Sequence, residues 1–249
     1  ARFETQKKLY QPHPEDFFEQ KGFIKEDVEK EIALAKKLKE KWESQSTNFE
    51  KEQKKLADVL EGIIVDQFCG DWMANKAEAF FTAEPDDYLR KVDCVVEFKP
   101  TQEERPEYLG LGIDVTFSSD DEVIKKKLED IWAKDIKKAS RTELMYAETE
   151  HHKGILLISR VVLAAQKETV FELARLYKNK DTEALNNHPY LASLLFQIKA
   201  QLESYYMYAQ DKKMSPSYIK SLIKTLGTFY TVLEDKNDFL VEYEQSSLQ

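Results

Sequence analysis

Three features of this 249-residue chain predict a helix-rich α+β fold, a small mixed sheet enclosed by helices. Apolar residues recur at helical spacing toward both ends, two β-rich segments near the middle alternate in character, and a continuous apolar run fills residues 154–165. Seven glycines, well under the roughly 7% of average proteins, argue against a large all-β fold with many tight turns. A chain this long buries roughly 70–75% of its unfolded surface, so neither disulfides nor a structural metal is required for folding.

Phe23, Ile24, Val28, Ile32, Ala35 and Leu38 predict an amphipathic helix over residues 25–44. Ser46, Thr47 and Asn48 then offer N-cap oxygens, and Leu56, Val59, Leu60, Ile63, Ile64 and Phe68 share a face of a second helix over 49–68. After Gly70, residues 91–98 and 108–118 read as an antiparallel hairpin joined by a polar loop containing Pro100 and Pro106. Period-two alternation sets Leu109, Leu111, Ile113, Val115 and Phe117 on one face of the second strand and Asp114 with Thr116 on the other. Asp93, Val95 and Glu97 are likewise expected to share a face. A helix capped by Ser118 or Ser119 should follow and run to about Tyr146, with Ile124, Leu128, Ile131, Trp132 and Ala139 inward. Residues 154–165 read as a central strand buried on both faces. Helices over 169–177, 189–210 and 215–235 complete the chain, the middle one opening on Pro189. No low-complexity linker or repeat intervenes, which predicts one domain over residues 1–249. It divides into an N-terminal helical extension (1–55), a core (56–165) and C-terminal helices (166–249).

The charge balance of 37 basic and 46 acidic residues gives a net charge of −9, which disfavours indiscriminate coating of nucleic acid. Screening confines exposed charges to about 8 Å at physiological salt, so a local basic groove can still bind a polyanion. The sequence has no Walker loop, no dinucleotide fingerprint and no Gly-x-Ser-x-Gly elbow, which excludes the common nucleotide-driven and serine-nucleophile designs. Two cysteines and four histidines supply neither a zinc finger nor a secreted disulfide scaffold, and predict a reducing compartment, by default the cytoplasm. No apolar run reaches the roughly 20 residues that span a bilayer, so no membrane insertion is expected. Ala1 in place of Met leaves room for an upstream segment removed by processing.

The order helix, hairpin, helix, buried strand over residues 56–165, with Glu61, Asp93 and the Asp114-Val-Thr116 triplet at set places in it, resembles the core of the PD-(D/E)XK nuclease superfamily. The resemblance implies an αβββαβ core, with the first strand falling within residues 71–89. It implies metal-dependent phosphodiester hydrolysis on DNA or RNA, with Asp93 and Asp114 holding Mg²⁺ or Mn²⁺ and Glu61 as the supporting helical acid. Thr116 stands where the family pattern has lysine.

The residues make chemical sense without the family. Mg²⁺ is held by one or two carboxylates plus water and phosphate, and a bound cation polarises the phosphoryl oxygen while activating an attacking water. Facing strand positions lie about 5 Å apart, close enough for Asp93 and Asp114 to share one ion. Glu97 rivals Asp93, and Asp66 rivals Glu61. For the missing lysine, a helical wheel from Ile124 sets Lys127 and Lys138 beside the apolar stripe, Lys134 farther out and Lys126 toward solvent, which makes Lys127 the candidate. All of these residues also have an ordinary structural reading as strand acids or surface lysines. His151 and His152 should point to opposite faces with no ligand cluster nearby, and Arg160 needs a carboxylate partner if buried. The C-terminal aromatics read as helix packing. The alternative function is a non-catalytic interaction module on a decayed nuclease-like fold, contacting a protein partner through its helical flanks.

Overall fold

The structure, a computed structural model, describes residues 7–99, 106–116 and 122–247, with the side chains at positions 71, 113–116, 123, 246 and 247 outside that description. Two long helices come first, α1 (Lys25–Gln45) and α2 (Asn48–Phe68). Thr47 separates them by closing a capping box: its hydroxyl accepts the Glu50 N–H at 3.2 Å, and the Glu50 carboxylate accepts the Thr47 N–H at 2.7 Å. Strand β1 (Ala77–Phe81) and the short helix α3 (Glu84–Arg90) follow, then β2 (Cys94–Phe98) and β3 (Glu107–Thr116). Helix α4 (Glu122–Ile131) passes into a π-helical turn (Trp132–Ile136), and strands β4 (Thr142–Glu148) and β5 (Lys153–Gln166) complete the sheet. The chain closes with α5 (Lys167–Asn179), α6 (Thr182–Asn186), α7 (Pro189–Asp211), α8 (Pro216–Asp235) and α9 (Asn237–Ser247).

The fold is mixed α+β, as the sequence predicts. Its sheet runs β1-β2-β3-β5-β4, antiparallel except where β3 lies parallel to β5. Helix α2 packs on β1 and β3, while α7 packs on β5 and α8 on β3. These contacts enclose the main apolar core, built around Leu60, Ile63, Phe68, Trp72, Leu111, Val161 and Phe229. A smaller cluster of Val92, Val95, Leu144, Ala147, Leu156 and Ile158 covers the other face. Among the described residues no helix is long and apolar enough to cross a membrane.

Three elements depart from the sequence expectation. The helix after the hairpin does not reach Tyr146; it ends in the π-helical turn, and residues 142–148 form β4. Thr142, Leu144, Tyr146 and Ala147 are buried, with a register shift between Leu144 and Ala147 that breaks the alternation, and Leu144 and Tyr146 belong to different apolar clusters. Strand β1 falls within residues 71–89, where the resemblance expects a first strand; Ala-Glu-Ala-Phe-Phe has modest strand propensity, and Ala77, Ala79 and Phe81 are its buried positions. Strand β5 is buried on both faces only from Ile158 to Leu163, whereas Ile155 and Leu157 near its start are exposed.

Beyond Ile158, β5 loses its β4 partner and its peptide groups need another. Helix α7 provides it. Gln201 accepts the Val162 N–H at 2.8 Å and donates to the Val162 carbonyl at 2.8 Å, and one turn earlier Gln197 does the same for Ala164 at 2.8 and 3.1 Å. Two side-chain amides at i, i+4 thus stand in for a strand and dock α7 on the open edge. Gln201→Leu should leave a buried peptide N–H and C=O unpaired, at a cost of about 1–3 kcal/mol. The expected result is a Tm lowered by several degrees, and a variant that melts with the wild type would contradict this role.

Candidate functional site

A cavity of about 550 Å³ opens between α1, α2, α3 and α4, at the end of the sheet where β2 begins. Its floor is Gly112 of β3, where a Cβ would come within 3.3 Å of the Lys91 carbonyl. Lys91 itself adopts the left-handed conformation (φ 59°) that turns the chain out of α3 toward β2. Four acids, Glu50, Asp87, Asp93 and Asp130, line the cavity against six cations, Lys54, Lys91, Lys126, Lys127, Lys134 and Arg160. A chain of net charge −9 therefore presents a locally cationic pocket over a buried acidic centre.

Glu61, on α2, is 2% exposed, because it falls on the same helix face as Leu60 and Ile64. The Lys7 ammonium straddles its carboxylate, 2.9 Å from Oε1 and 3.0 Å from Oε2, with only Oε2 in hydrogen-bonding geometry, and reaches Asp87 Oδ2 at 3.2 Å. Gln11 anchors this N-terminal segment by donating to the Thr82 carbonyl at 2.6 Å. Burial pushes the Glu61 carboxyl up to about 8 against the opposing charge of Lys7, and the nearby Asp93 adds to the rise. Burial and the charge of Asp87 raise Asp93, opposed by Lys54, Lys127 and Lys7. Asp87 goes the other way: burial would raise it, but Lys7 and Lys54 hold it below the usual carboxylate range. The same charges act back on Lys7, where burial alone would lower the ammonium and Glu61, Asp87 and Asp93 outweigh it.

Asp93 does not share surroundings with Val95 and Glu97, contrary to the alternation expected for residues 93–97. It precedes the regular strand, which starts at Cys94, and its backbone is pinned by Asp93 N–H to Leu111 O at 2.9 Å and by Thr82 N–H to Asp93 O at 3.2 Å. Extending the β2–β3 register sets Asp93 opposite Gly112 rather than Asp114. Asp114 is then a diagonal neighbour, a relation worth about 7–8 Å between backbones instead of 5 Å. The backbone of Asp114 pairs with Ala164 and that of Thr116 with Gln166. The Asp114 and Thr116 side chains, and the expected convergence of the Asp93 and Asp114 carboxylates, lie outside the described residues. Lys127 lines the cavity and its charge acts on Asp93. Lys126 and Lys134 line it too, both exposed, as the helical wheel expects of Lys126; Lys138, expected beside the apolar stripe, does not line it, and the π-helical turn shifts the residues after Trp132 out of α-helical phase. Asp66 is exposed and donor to nothing here, accepting only from Gln67 at 3.2 Å.

Arg160 finds the carboxylate that burial demands. Its Nε lies 2.8 Å from Asp135 Oδ2, Nη1 donates to the Arg90 carbonyl at 2.8 Å, and Nη2 lies 3.5 Å from Asp130. Thr142 donates to the same Asp135 oxygen at 2.8 Å, so one network fastens β5, the π-helical turn and β4 beside the cavity.

A second cluster, missed in the sequence, lies elsewhere. Glu97 is buried and bonded to the Thr149 hydroxyl, the His151 N–H and the His151 ring, and with Glu150 these groups bring ligand atoms within 4.8 Å of one another. The expectation that His151 has no cluster nearby is therefore corrected: residues 54 positions apart meet because β2 passes under the β4–β5 turn. The Glu97 hydrogen bond raises the His151 pKa, against a small opposing effect of desolvation, and the carboxylate is already engaged by three donors. This cluster reads as a latch for the turn. Among the described residues it is the one group of three that gathers so closely, and Asp93 with its neighbours is more spread out. The hard oxygen donors around Asp93 nevertheless suit Mg²⁺ or Mn²⁺, which need only one or two carboxylates from the protein.

Comparison with protein families, curated proteins and solved structures finds no match. The site's electrostatics give a direct expectation. Glu61 is raised in the folded state above its ordinary 4.5, so its contribution to stability is complete below pH 4.5 and is lost as pH rises through about 8. Glu61→Gln should flatten the decline in unfolding free energy between about pH 4.5 and 8, measured by urea titration. A variant with the wild-type slope would contradict burial as the source of the shift.

Proposed function

We propose that the cavity beside Asp93 is the site of a Mg²⁺- or Mn²⁺-dependent nuclease related in architecture to the PD-(D/E)XK superfamily. One observation carries this reading: Glu61, Asp93 and Lys127, singled out in the sequence as one site, come from α2, the start of β2 and α4, and act on a common charge cluster. The order α2-β1-α3-β2-β3-α4-β4-β5, with an antiparallel β1-β2-β3 and β5 parallel to β3, supports it as an αβββαβ succession into which α3 and the edge strand β4 are inserted. In this reading Asp93 and Asp114 hold the cation, which supplies phosphoryl polarisation and an activated water. Glu61 sits behind them and fixes their electrostatics. Lys127 takes the part that Thr116 cannot, stabilising negative charge developing on phosphate, and the remaining lysines of the cavity neutralise the flanking strand.

The interaction-module reading has its own support: Lys7 already neutralises Glu61 and Asp87 without any metal, and Thr116 replaces the motif lysine. Incubation of the purified chain with labelled single- and double-stranded DNA and RNA, with Mn²⁺ or Mg²⁺, separates the two. The nuclease reading expects cleavage that EDTA abolishes and that Asp93→Asn lowers by more than about a hundredfold. Lys127→Ala should lower the rate while leaving stability within about 0.5 kcal/mol, as for a surface change. No cleavage of any of the four polymers would favour the module.

A further inference from the structure

The cavity also has aromatic side chains in its lining. Trp42, near the end of α1, and Tyr88, on α3, both line it. Trp42 is 36% exposed, whereas Trp72 is wholly buried and Trp132 packs on Tyr205 and Tyr208. The Lys39–Glu84 ion pair, at 2.9 Å, ties α1 to α3, the helices that carry the two rings. An indole left in water at the rim of a cationic pocket has a specific use, because every nucleobase offers a π-face that stacks on an aromatic ring irrespective of sequence. In a duplex those faces are covered by neighbouring base pairs, and only an unpaired or extruded nucleotide exposes them. The cavity volume, about 550 Å³, lies within the range of pockets that enclose one small ligand group.

We infer that the substrate is single-stranded nucleic acid, with one unpaired base stacked against Trp42 and Tyr88 and the adjoining phosphates held by Lys126, Lys127 and Lys134. This deepens the nuclease reading and rests on it. The backbone carries the charge that the lysines bind and the base supplies the aromatic contact, so the two sets of side chains select against different ligands: the lysines against apolar ones, the rings against a fully paired duplex.

Fluorescence anisotropy of the full chain with labelled 12-mer single strands of DNA and of RNA, and with the matching duplexes, tests this in EDTA and again with Ca²⁺. The expected result is single-strand affinity at least tenfold above duplex affinity at equal salt. Trp42→Ala should weaken single-strand binding roughly tenfold, as loss of one stacked base does, with duplex binding unchanged. Trp42→Phe should restore most of it, which excludes misfolding as the cause. Lys127→Ala combined with Lys134→Ala should weaken both ligands and reduce the salt dependence. Duplex binding as tight as single-strand binding, or indifference to Trp42→Ala, would overturn the single-strand inference and leave the nuclease reading standing. No binding of either form in either buffer would overturn both.

Discussion

Three carboxyl groups, Glu61 fully buried and Asp87 and Asp93 half-buried at the cavity wall, crowd one place in the fold, and much of the surrounding structure supplies the positive charge this requires. An unpaired charge withdrawn from water costs several kcal/mol, more than a typical surface contact returns, and Lys7, Lys54 and Lys127 oppose that cost. Lys7 comes from the N-terminal segment, and its contacts with Glu61 and Asp87 join that segment to α2 and α3. The burial of Glu61 follows from apolar packing of α2 on the sheet, and the burial of Asp93 follows from its place just before a strand whose five residues are all buried. The acids are thus products of the fold rather than additions to its surface, which is why their ionisation is tied to stability.

Position and charge are set by different parts of the molecule. Backbone hydrogen bonds from Thr82 and to Leu111 fix Asp93, and Gly112 keeps side-chain bulk off the cavity floor. The cations arrive on α2, α3, α4 and the π-helical turn, and the Arg160–Asp135–Thr142 network holds that turn against β4 and β5. The long lysines flank the pocket and the short carboxylates lie deeper, an arrangement suited to a ligand whose negative charge is spread along a backbone.

What could be read in the sequence was whatever had a strong local signature. The helical spacing of Leu56, Leu60, Ile63 and Ile64 and the Thr47 cap located α2 within a residue, and with it Glu61. The β-branched and aromatic residues of the hairpin located β2 and β3, and hence Asp93. The sequence reading expects β1 within residues 71–89 but without bounds, and takes β4 for helix, because alanines, glutamates and leucines in them favour helix and pairing with β2 and β5 makes strands of them. The π-helical turn was invisible because nothing local in Trp-Ala-Lys-Asp-Ile marks a change of phase, and it bears on Lys134 and Lys138 but not on Lys126 and Lys127, which precede it. Lys7, Asp87 and the Glu97–His151 pair carry no pattern at all: each acts on residues more than fifty positions away.

The proposed function places a divalent cation at Asp93 rather than at the Glu97–His151 cluster. Calorimetric titration of Mn²⁺ into the chain, its Asp93→Asn variant and its Glu97→Gln variant tests this most directly. The account predicts one strong site in the wild type that Asp93→Asn abolishes and Glu97→Gln preserves. Binding that survives Asp93→Asn and disappears in Glu97→Gln would contradict it.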